Sequence, residues 1–323
     1  MHTLTETDSI TSSDQIIEAA GALAEKKGRK IVAVAAAGDP DVLGAMASAK
    51  ADGILDAVLF GDRDRISKAA DTAGVDISGF TVEYESDINR AAYGAVRLAA
   101  EGKADVVMKG FISTSALLKT VLHRDFDLRT KNTLSHTAVL DIPGYHKLIQ
   151  MTDGGMVVRP NLEQKLQIME NAILVARALR INPVKVAVSG AVDRVYDNIP
   201  ETMSCRALLS LVSTLGLENV IVRGPLTFDA ATSKDIAAVK GLNGPVVGDA
   251  DIYLVDSIEE CNIVSKALIN FADAVFAGVI VGARVPVSLV SRTDTIKNKK
   301  ASVALACLVS EYYKKTGIAG GAR

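Results

Sequence analysis

KIVAVAAAGDPDVLGAMASAKA, residues 30–51, joins an apolar run of strand length to a helical stretch. The run at 30–36 suits a strand covered on both faces. Asp39 is placed to N-cap a helix whose first residue is Pro40. The same strand-to-helix unit recurs downstream. Apolar runs at 57–60, 81–84 and 105–108 each precede a helical stretch, at 63–73, 88–100 and 115–122. Four such units in succession predict one mostly parallel sheet with right-handed crossovers, hence an α/β fold.

The rhythm changes near residue 140. Extended segments at 133–142 and 147–152 flank Pro143-Gly144 and predict an antiparallel hairpin or arm. Beyond it lie a long helix at 162–179, a strand at 185–189, a helix at 202–215 and strands at 220–223 and 252–255. A helix at 258–271, strands at 275–281 and 285–290 and a final helix at 301–312 complete the pattern.

Composition narrows the class. The chain has 323 residues, enough for about two domains, and 49% are hydrophobic but only 4% aromatic, as in a core of Ala, Val, Ile and Leu. A net charge of -2 gives no general attraction to nucleic acid or anionic membrane, so anion recognition must be local. No stretch is apolar for the length of a membrane span, and the polar start lacks a secretory pattern; the expectation is cytoplasmic. Cys205, Cys261 and Cys307 are odd in number and far apart, which fits small core residues rather than a disulfide framework or metal site.

Chemistry-bearing residues gather where strands end. Lys109-Gly110-Phe111-Ile112-Ser113-Thr114-Ser115 closes a strand and opens a helix, with a glycine at the turn and hydroxyls at the helix start, a pattern that suits phosphate. The same serines would equally serve as helix N-caps. Ser291-Arg292, followed by Thr293-Asp294-Thr295, stands between the apolar run 285–290 and the last helix, where a guanidinium fork can hold two phosphate oxygens. Arg129-Thr130-Lys131 adds a basic group. Loops at 224–229, 248–251 and 258–262 bring glycine, carboxylate and Asn262, and are expected at strand C-terminal ends, where open α/β sheets place ligands. His136 could lie near such a cleft or be a hydrogen-bonded core histidine. The signatures of nucleotide-triphosphate, dinucleotide and zinc sites are absent.

In this order the segments Val107-Met108-Lys109-Gly110 with Thr114-Ser115, Leu134-Ser135-His136 with Ile142-Pro143-Gly144-Tyr145, and Thr152-Asp153-Gly154-Gly155 resemble the phosphate acetyltransferase and phosphate butyryltransferase family. So do Leu162-Glu163-Gln164-Lys165, Gly224-Pro225-Leu226-Thr227-Phe228-Asp229-Ala230, Gly248-Asp249-Ala250-Asp251 and Ser291-Arg292-Thr293-Asp294. The Leu-Ser-His arm and the Ser-Arg-x-Asp form are closer to the butyryl branch. The resemblance implies a two-domain isocitrate/isopropylmalate dehydrogenase-like fold with an interdomain cleft. The first domain would comprise 1–138 and 288–323, and 139–287 would form the second, through which a homodimer assembles.

The implied activity is reversible transfer of a short acyl group between coenzyme A and inorganic phosphate, with coenzyme A as substrate and no metal or redox cofactor. Ser291, Arg292, Asp294 and His136 are then the catalytic candidates. Lys109, Gly110, Ser113, Thr114, Ser115, Arg129 and Asn262 are the substrate-binding ones. Two departures from the family pattern stand out. Asn298 occupies the place of an aspartate assigned as thiol base in the acetyl branch, and Asn298 cannot accept a proton at neutral pH, which leaves Asp294, His136 or a pre-ionised thiol. Cys261 replaces a glycine in the family's Glu-Ala-Gly-Asn. Alternatives on the same fold are a dehydrogenase, a fatty-acyl phosphate synthase, or a catalytically impaired acyl-CoA- or phosphate-binding homologue.

Overall fold

The computed structural model describes residues 8–291 and 294–318. After helix α1 (Ser13–Lys27) the chain alternates as the opening stretch predicts: β1 (Lys30–Ala35), α2 (Pro40–Ala51), β2 (Leu55–Gly61), α3 (Arg63–Ala73), β3 (Thr81–Tyr84), α4 (Ile88–Ala100), β4 (Val106–Lys109) and α5 (Thr114–Val121). Each crossover helix starts on a side-chain cap. Asp39, Asp62, Asp87 and Ser113 accept from the backbone N–H of Val42, Arg65, Arg90 and Ala116. Such caps satisfy donors that the first turn cannot.

The middle of the chain forms β5 (Ser135–Asp141), β6 (Ile149–Thr152), α6 (Leu162–Ala178), β7 (Val184–Ser189), α7 (Pro200–Leu215) and β8 (Val220–Leu226). The short α8 (Phe228–Thr232) and α9 (Lys234–Val239), then β9 (Ile252–Leu254) and α10 (Ile258–Phe271), follow. The chain ends through β10 (Val275–Val281), β11 (Val287–Ser288) and α11 (Ile296–Thr316).

These elements form two compact units. One comprises Ser13–Lys131 and Ala277–Arg323. Its strands run in the order β3-β2-β1-β4-β11-β10, all parallel except β10, which pairs antiparallel with β11. Strand β4 is buried throughout and α11 along most of its length. Small residues let the layers approach: a Cβ at Gly94 of α4 would lie 2.9 Å from the Phe60 ring. At the N-terminal end of β1, Lys30 reaches Glu311 of α11 at 2.8 Å.

The second unit comprises Asn132–Phe276 with the first twelve residues, of which 8–12 are described. Its strand order is β5-β6-β9-β7-β8, with only β5 antiparallel. The N–H of Ile10 donates to the Leu179 carbonyl at 3.0 Å, which ties the N-terminal segment to the end of α6.

The division differs from the expected one of 1–138 with 288–323 against 139–287. Strand pairing explains the shift. β5 is hydrogen-bonded to β6 (Ala138 opposite Met151) and so belongs with the middle of the chain. β10 is hydrogen-bonded to β11 (Val279 opposite Ser288) and so returns earlier than expected. The strand expected at 285–290 is reduced to two residues, and α11 starts five residues before the predicted 301 because Thr295 caps it.

Candidate functional site

In a parallel sheet the strand C-terminal ends share one edge, where the helices that follow present free N–H groups. In the unit built on β1–β4 this edge carries the loop after β4. Gly110 N–H donates to Ala35 O at 2.9 Å and Phe111 N–H to Ala36 O at 2.6 Å, which holds the loop flat against the end of β1. Only glycine fits at 110, because a Cβ would lie 2.2 Å from the Ala36 carbonyl oxygen. Lys109 is buried, and its Nζ donates to the carbonyls of Gly110 and Ile112, each at 3.2 Å. The Ser113 hydroxyl caps α5 at 3.2 Å from the Ala116 nitrogen and lies 3.3 Å from the Ser115 hydroxyl. Thr114 and Ser115 form the first turn.

Strand β11 lies beside β4, with Val287 opposite Val107 and Ser288 opposite Met108, so the chain leaving β11 runs next to the Lys109 loop. Ser291 is exposed. Its N–H donates to the Asp294 carboxylate at 2.5 Å, and Asp294 N–H returns to Ser291 O at 3.2 Å. Arg292 lies outside the described residues. Beneath this turn Lys299 is wholly buried; its Nζ donates to the Asp294 carbonyl and pairs with Asp41 at 3.4 Å. Asn298 is buried in the first turn of α11, its N–H donating to the Thr295 hydroxyl. A neutral amide is desolvated there far more cheaply than a carboxylate would be.

The equivalent edge of the other unit gathers His136, at the start of antiparallel β5, with the loop after β6. One carboxylate, Asp153, collects four backbone N–H groups: His136 at 3.0 Å, Gly155 at 2.9 Å, Met156 at 3.1 Å and Val157 at 2.8 Å. Burial pushes its pKa up and the four donors oppose that rise. Asn262, exposed on α10, reaches the Gly154 carbonyl at 3.5 Å. Cys261 points into the core beneath Gly154, where a Cβ would meet its Sγ at 2.8 Å. Burial raises its thiol to about 12, so Cys261 is a packing residue and not a nucleophile.

His136 is 7% exposed and neither ring nitrogen has a hydrogen-bond partner among the described residues. Desolvation lowers its pKa from 6.5 to about 4, so the ring is neutral at pH 7. The groups around it are the Asp153 carboxylate on its own N–H, Gly154 and Gly155, and Phe276, whose ring centroid is 5.9 Å away. Between pH 6.5 and 4 the unfolded chain binds a proton that the folded chain refuses. The stability this confers is therefore complete above pH 6.5 and is lost as pH falls through that window, by roughly 3 kcal/mol at most. Urea denaturation of His136→Phe at pH 7 and pH 5 should show a flatter acid limb than the parent. An unchanged slope would assign the limb to other groups.

The structure thus sets β11, which leads to Ser291 and Asp294, beside β4, which leads to Lys109, Gly110, Ser113, Thr114 and Ser115, and in the other unit it sets His136 and Asn262 each against the loop that holds Asp153 and Gly154. Arg129 is not with them. Its Nε donates to Leu122 O at 2.6 Å, at the far end of α5 from the serines, where it satisfies a helix carbonyl. The loop 248–251 also departs from expectation, since it precedes β9 and lies at the opposite edge. There Asp251 accepts from Lys147 at 2.6 Å and from the Lys185 N–H at 2.7 Å, and Asp249 pairs with Lys185, Lys147 and His146. Gly224 and Pro225 fall within β8, so only 227–229 lie beyond its end. Sequence reasoning passed over Lys299 and Asp153. The signal for Asp153 was an aspartate at a strand end followed by two glycines.

Helix N-termini gathered at strand C-terminal ends are where an α/β protein places anionic ligands. A family profile described as phosphate acetyl/butaryl transferase matches residues 83–307. The phosphate butyryltransferase of Clostridium acetobutylicum is 40% identical over 287 residues, 88% of this chain and 95% of that protein. The crystal structure of a branched-chain phosphotransacylase from Enterococcus faecalis superposes with a TM-score of 0.78 at 30% identity, over 87% of this chain and 99% of that one. A 4-hydroxythreonine-4-phosphate dehydrogenase from Klebsiella pneumoniae, at a TM-score of 0.56 and 12% identity over 87% of this chain and 99% of its own, shares the fold. The chain belongs to the phosphate acetyl/butaryl transferase family and is a phosphate acyltransferase of the acetyl/butyryl type.

Proposed function

We propose that the protein interconverts a short-chain acyl-CoA of the butyryl or branched class, plus inorganic phosphate, with the acyl phosphate and coenzyme A. The observation that carries the site assignment is the run of Lys109, the Gly110 turn and the α5 N-terminus beside the turn from Ser291 to Asp294, on neighbouring strands. The 40% identity to a phosphate butyryltransferase and the likeness to a branched-chain phosphotransacylase support the acyl class. The enzyme is read as a cytoplasmic homodimer, as the resemblance implies.

In the direction that acylates coenzyme A, the thiol loses its proton, sulfur bonds to the acyl-phosphate carbonyl carbon, and the C–O bond to phosphate breaks. The Asp294 carboxylate takes the thiol proton. It is the described carboxylate nearest Ser291, held by the Ser291 amide and seated over Lys299. The Ser291 hydroxyl donates to the carbonyl oxygen as charge develops, and Arg292 with Lys109 neutralises the departing phosphate. His136 is buried and neutral at pH 7, which argues against it as the base.

Phosphate-dependent release of coenzyme A should be fastest with butyryl- or isobutyryl-CoA in a series from C2 to C6. One methylene is worth about 1–3 kcal/mol in a fitted pocket, so the optimum should be resolved by about tenfold or more. No release from any member would overturn the assignment, and a maximum at acetyl-CoA would move it to the acetyl type.

A further inference from the structure

Lysines stand at 297, 299 and 300, at the start of α11, and the first turn of that helix holds no acidic residue. A cation there works against the helix dipole, so none of the three stabilises the helix on its own account. Each pairs instead with an aspartate of a packed neighbour. Lys297 reaches Asp14 of α1 at 3.3 Å, Lys299 reaches Asp41 in the first turn of α2 at 3.4 Å, and Lys300 pairs with Asp52 at the other end of α2. Gly44 lets the two helices close at this point, since a Cβ on it would lie 3.2 Å from Ile296 Cδ1.

Lys299 differs from the other two. Its side chain is 0% exposed, against 53% for Lys297 and 16% for Lys300, so it meets neither solvent nor a ligand. Methionine or leucine would fill the same space without the desolvation of an ammonium. What lysine adds is reach. Its Nζ turns back past the Thr295 cap and donates to the Asp294 carbonyl. The same Asp294 accepts the Ser291 N–H on its carboxylate and returns its own N–H to Ser291 O. Asp294 is therefore fixed at its N–H, its carboxylate and its carbonyl, the last by a charge anchored on α2.

We infer that Lys299, braced by Asp41, is a positioning residue for acyl transfer: it sets the Asp294 carboxylate and the turn back to Ser291 without touching substrate. The inference rests on Asp294 being the base that takes the thiol proton. Reaction geometry makes such a brace consequential, because misplacing a reacting group by about 1 Å can cost on the order of 10²-fold in rate. Lys297 and Lys300 dock the same helix but, among the described residues, bond to no part of the turn from Ser291 to Asp294. They separate docking of α11 from positioning of the turn.

The test measures kcat and both KM values with butyryl phosphate and coenzyme A, in Lys299→Met and Lys300→Met, each alone and combined with Asp294→Asn. Lys299→Met should lower kcat about tenfold to a hundredfold, with both KM values within about threefold of the parent's. In the Asp294→Asn background the same change should lower kcat by less than about twofold more, because the brace then holds no base. Lys300→Met should keep kcat within about twofold of the parent, even where the melting temperature falls. Equal losses from Lys299→Met with and without the Asp294 carboxylate, equal losses in Lys299→Met and Lys300→Met, or a parent-like kcat in Lys299→Met overturn the inference and leave the acyltransferase reading intact. A fully active Asp294→Asn removes the base and the inference with it, and no turnover by the parent overturns the acyltransferase reading as well. Should Lys299→Met not accumulate as folded protein, Asp41→Ala takes its place, at a side chain that is half exposed. A kcat loss absorbed by Asp294→Asn then supports the brace, and a parent-like or additive result overturns it.

Discussion

Alanine at position 110 should abolish most activity and lower stability by roughly 3 kcal/mol or more. The added Cβ would stand 2.2 Å from Ala36 O, 2.7 Å from Ala35 O and 2.8 Å from the Ala36 carbonyl carbon, all backbone atoms. No rotamer change relieves that overlap. Relief requires the ends of β1 and β4 to separate, with loss of the bonds from Gly110 N–H to Ala35 O and from Phe111 N–H to Ala36 O. The Lys109 ammonium, anchored on the carbonyls of Gly110 and Ile112, would shift with the loop. At about 2–4 °C per kcal/mol for a chain of this size, the melting temperature should fall by roughly 6–12 °C. Gly102→Ala is the control: Gly102 has φ +71° but no heavy atom within 4 Å of the added Cβ, so it bears only the cost of the left-handed backbone, about 1 kcal/mol. Equal melting temperatures for the two variants would mean that the loop yields easily and that the close approach at 110 is not what requires glycine.

Gly110 also shows what the sequence could convey. A glycine after a buried strand and before three hydroxyls said that a turn was tight there, and the turn is tight. The alternation of strand and helix from residue 30 to 122 was readable because buried parallel strands are continuously apolar and each following helix announces itself with a cap. Pairing was less readable. Nothing in the run 285–290 tells that only two residues enter the sheet, between a parallel β4 and an antiparallel β10, and the position of the chain's return depends on that. Charged residues were read least well, for one physical reason. Lysine and arginine are exposed by default, so a basic residue is read as solvent-facing or ligand-facing. Lys299 is neither, since it sits buried under the turn that presents Ser291; Arg129 is exposed, but its Nε is engaged by the Leu122 carbonyl. The Gly248-to-Asp251 loop misled because a glycine-acid loop has the same composition whether it leaves a strand or enters one. Here it enters β9, and its carboxylates neutralise Lys147 and Lys185 instead of facing a ligand.

Replacing Arg292 should have the largest kinetic effect of any single substitution that leaves the fold intact. Phosphate is a multiply charged anion, and in both directions the transition state gathers charge on its oxygens. A guanidinium meets two of those oxygens with parallel N–H bonds, which an ammonium cannot do. The surroundings favour such a role. Ser291 and Asp294, the described residues that flank Arg292 in sequence, close on each other through two backbone-anchored bonds, and a buried Lys299 fixes the Asp294 carbonyl from below. Arg292→Gln should lower kcat/KM for phosphate about 10²–10³-fold, with little change in the KM for butyryl-CoA. Arg292→Lys should recover part of the loss, because charge remains while the fork is gone. The split between the two substrates is the deciding readout. A rise in both KM values together with a lower melting temperature would assign Arg292 to holding the Ser291 turn, and an unchanged dependence on phosphate would remove it from the site.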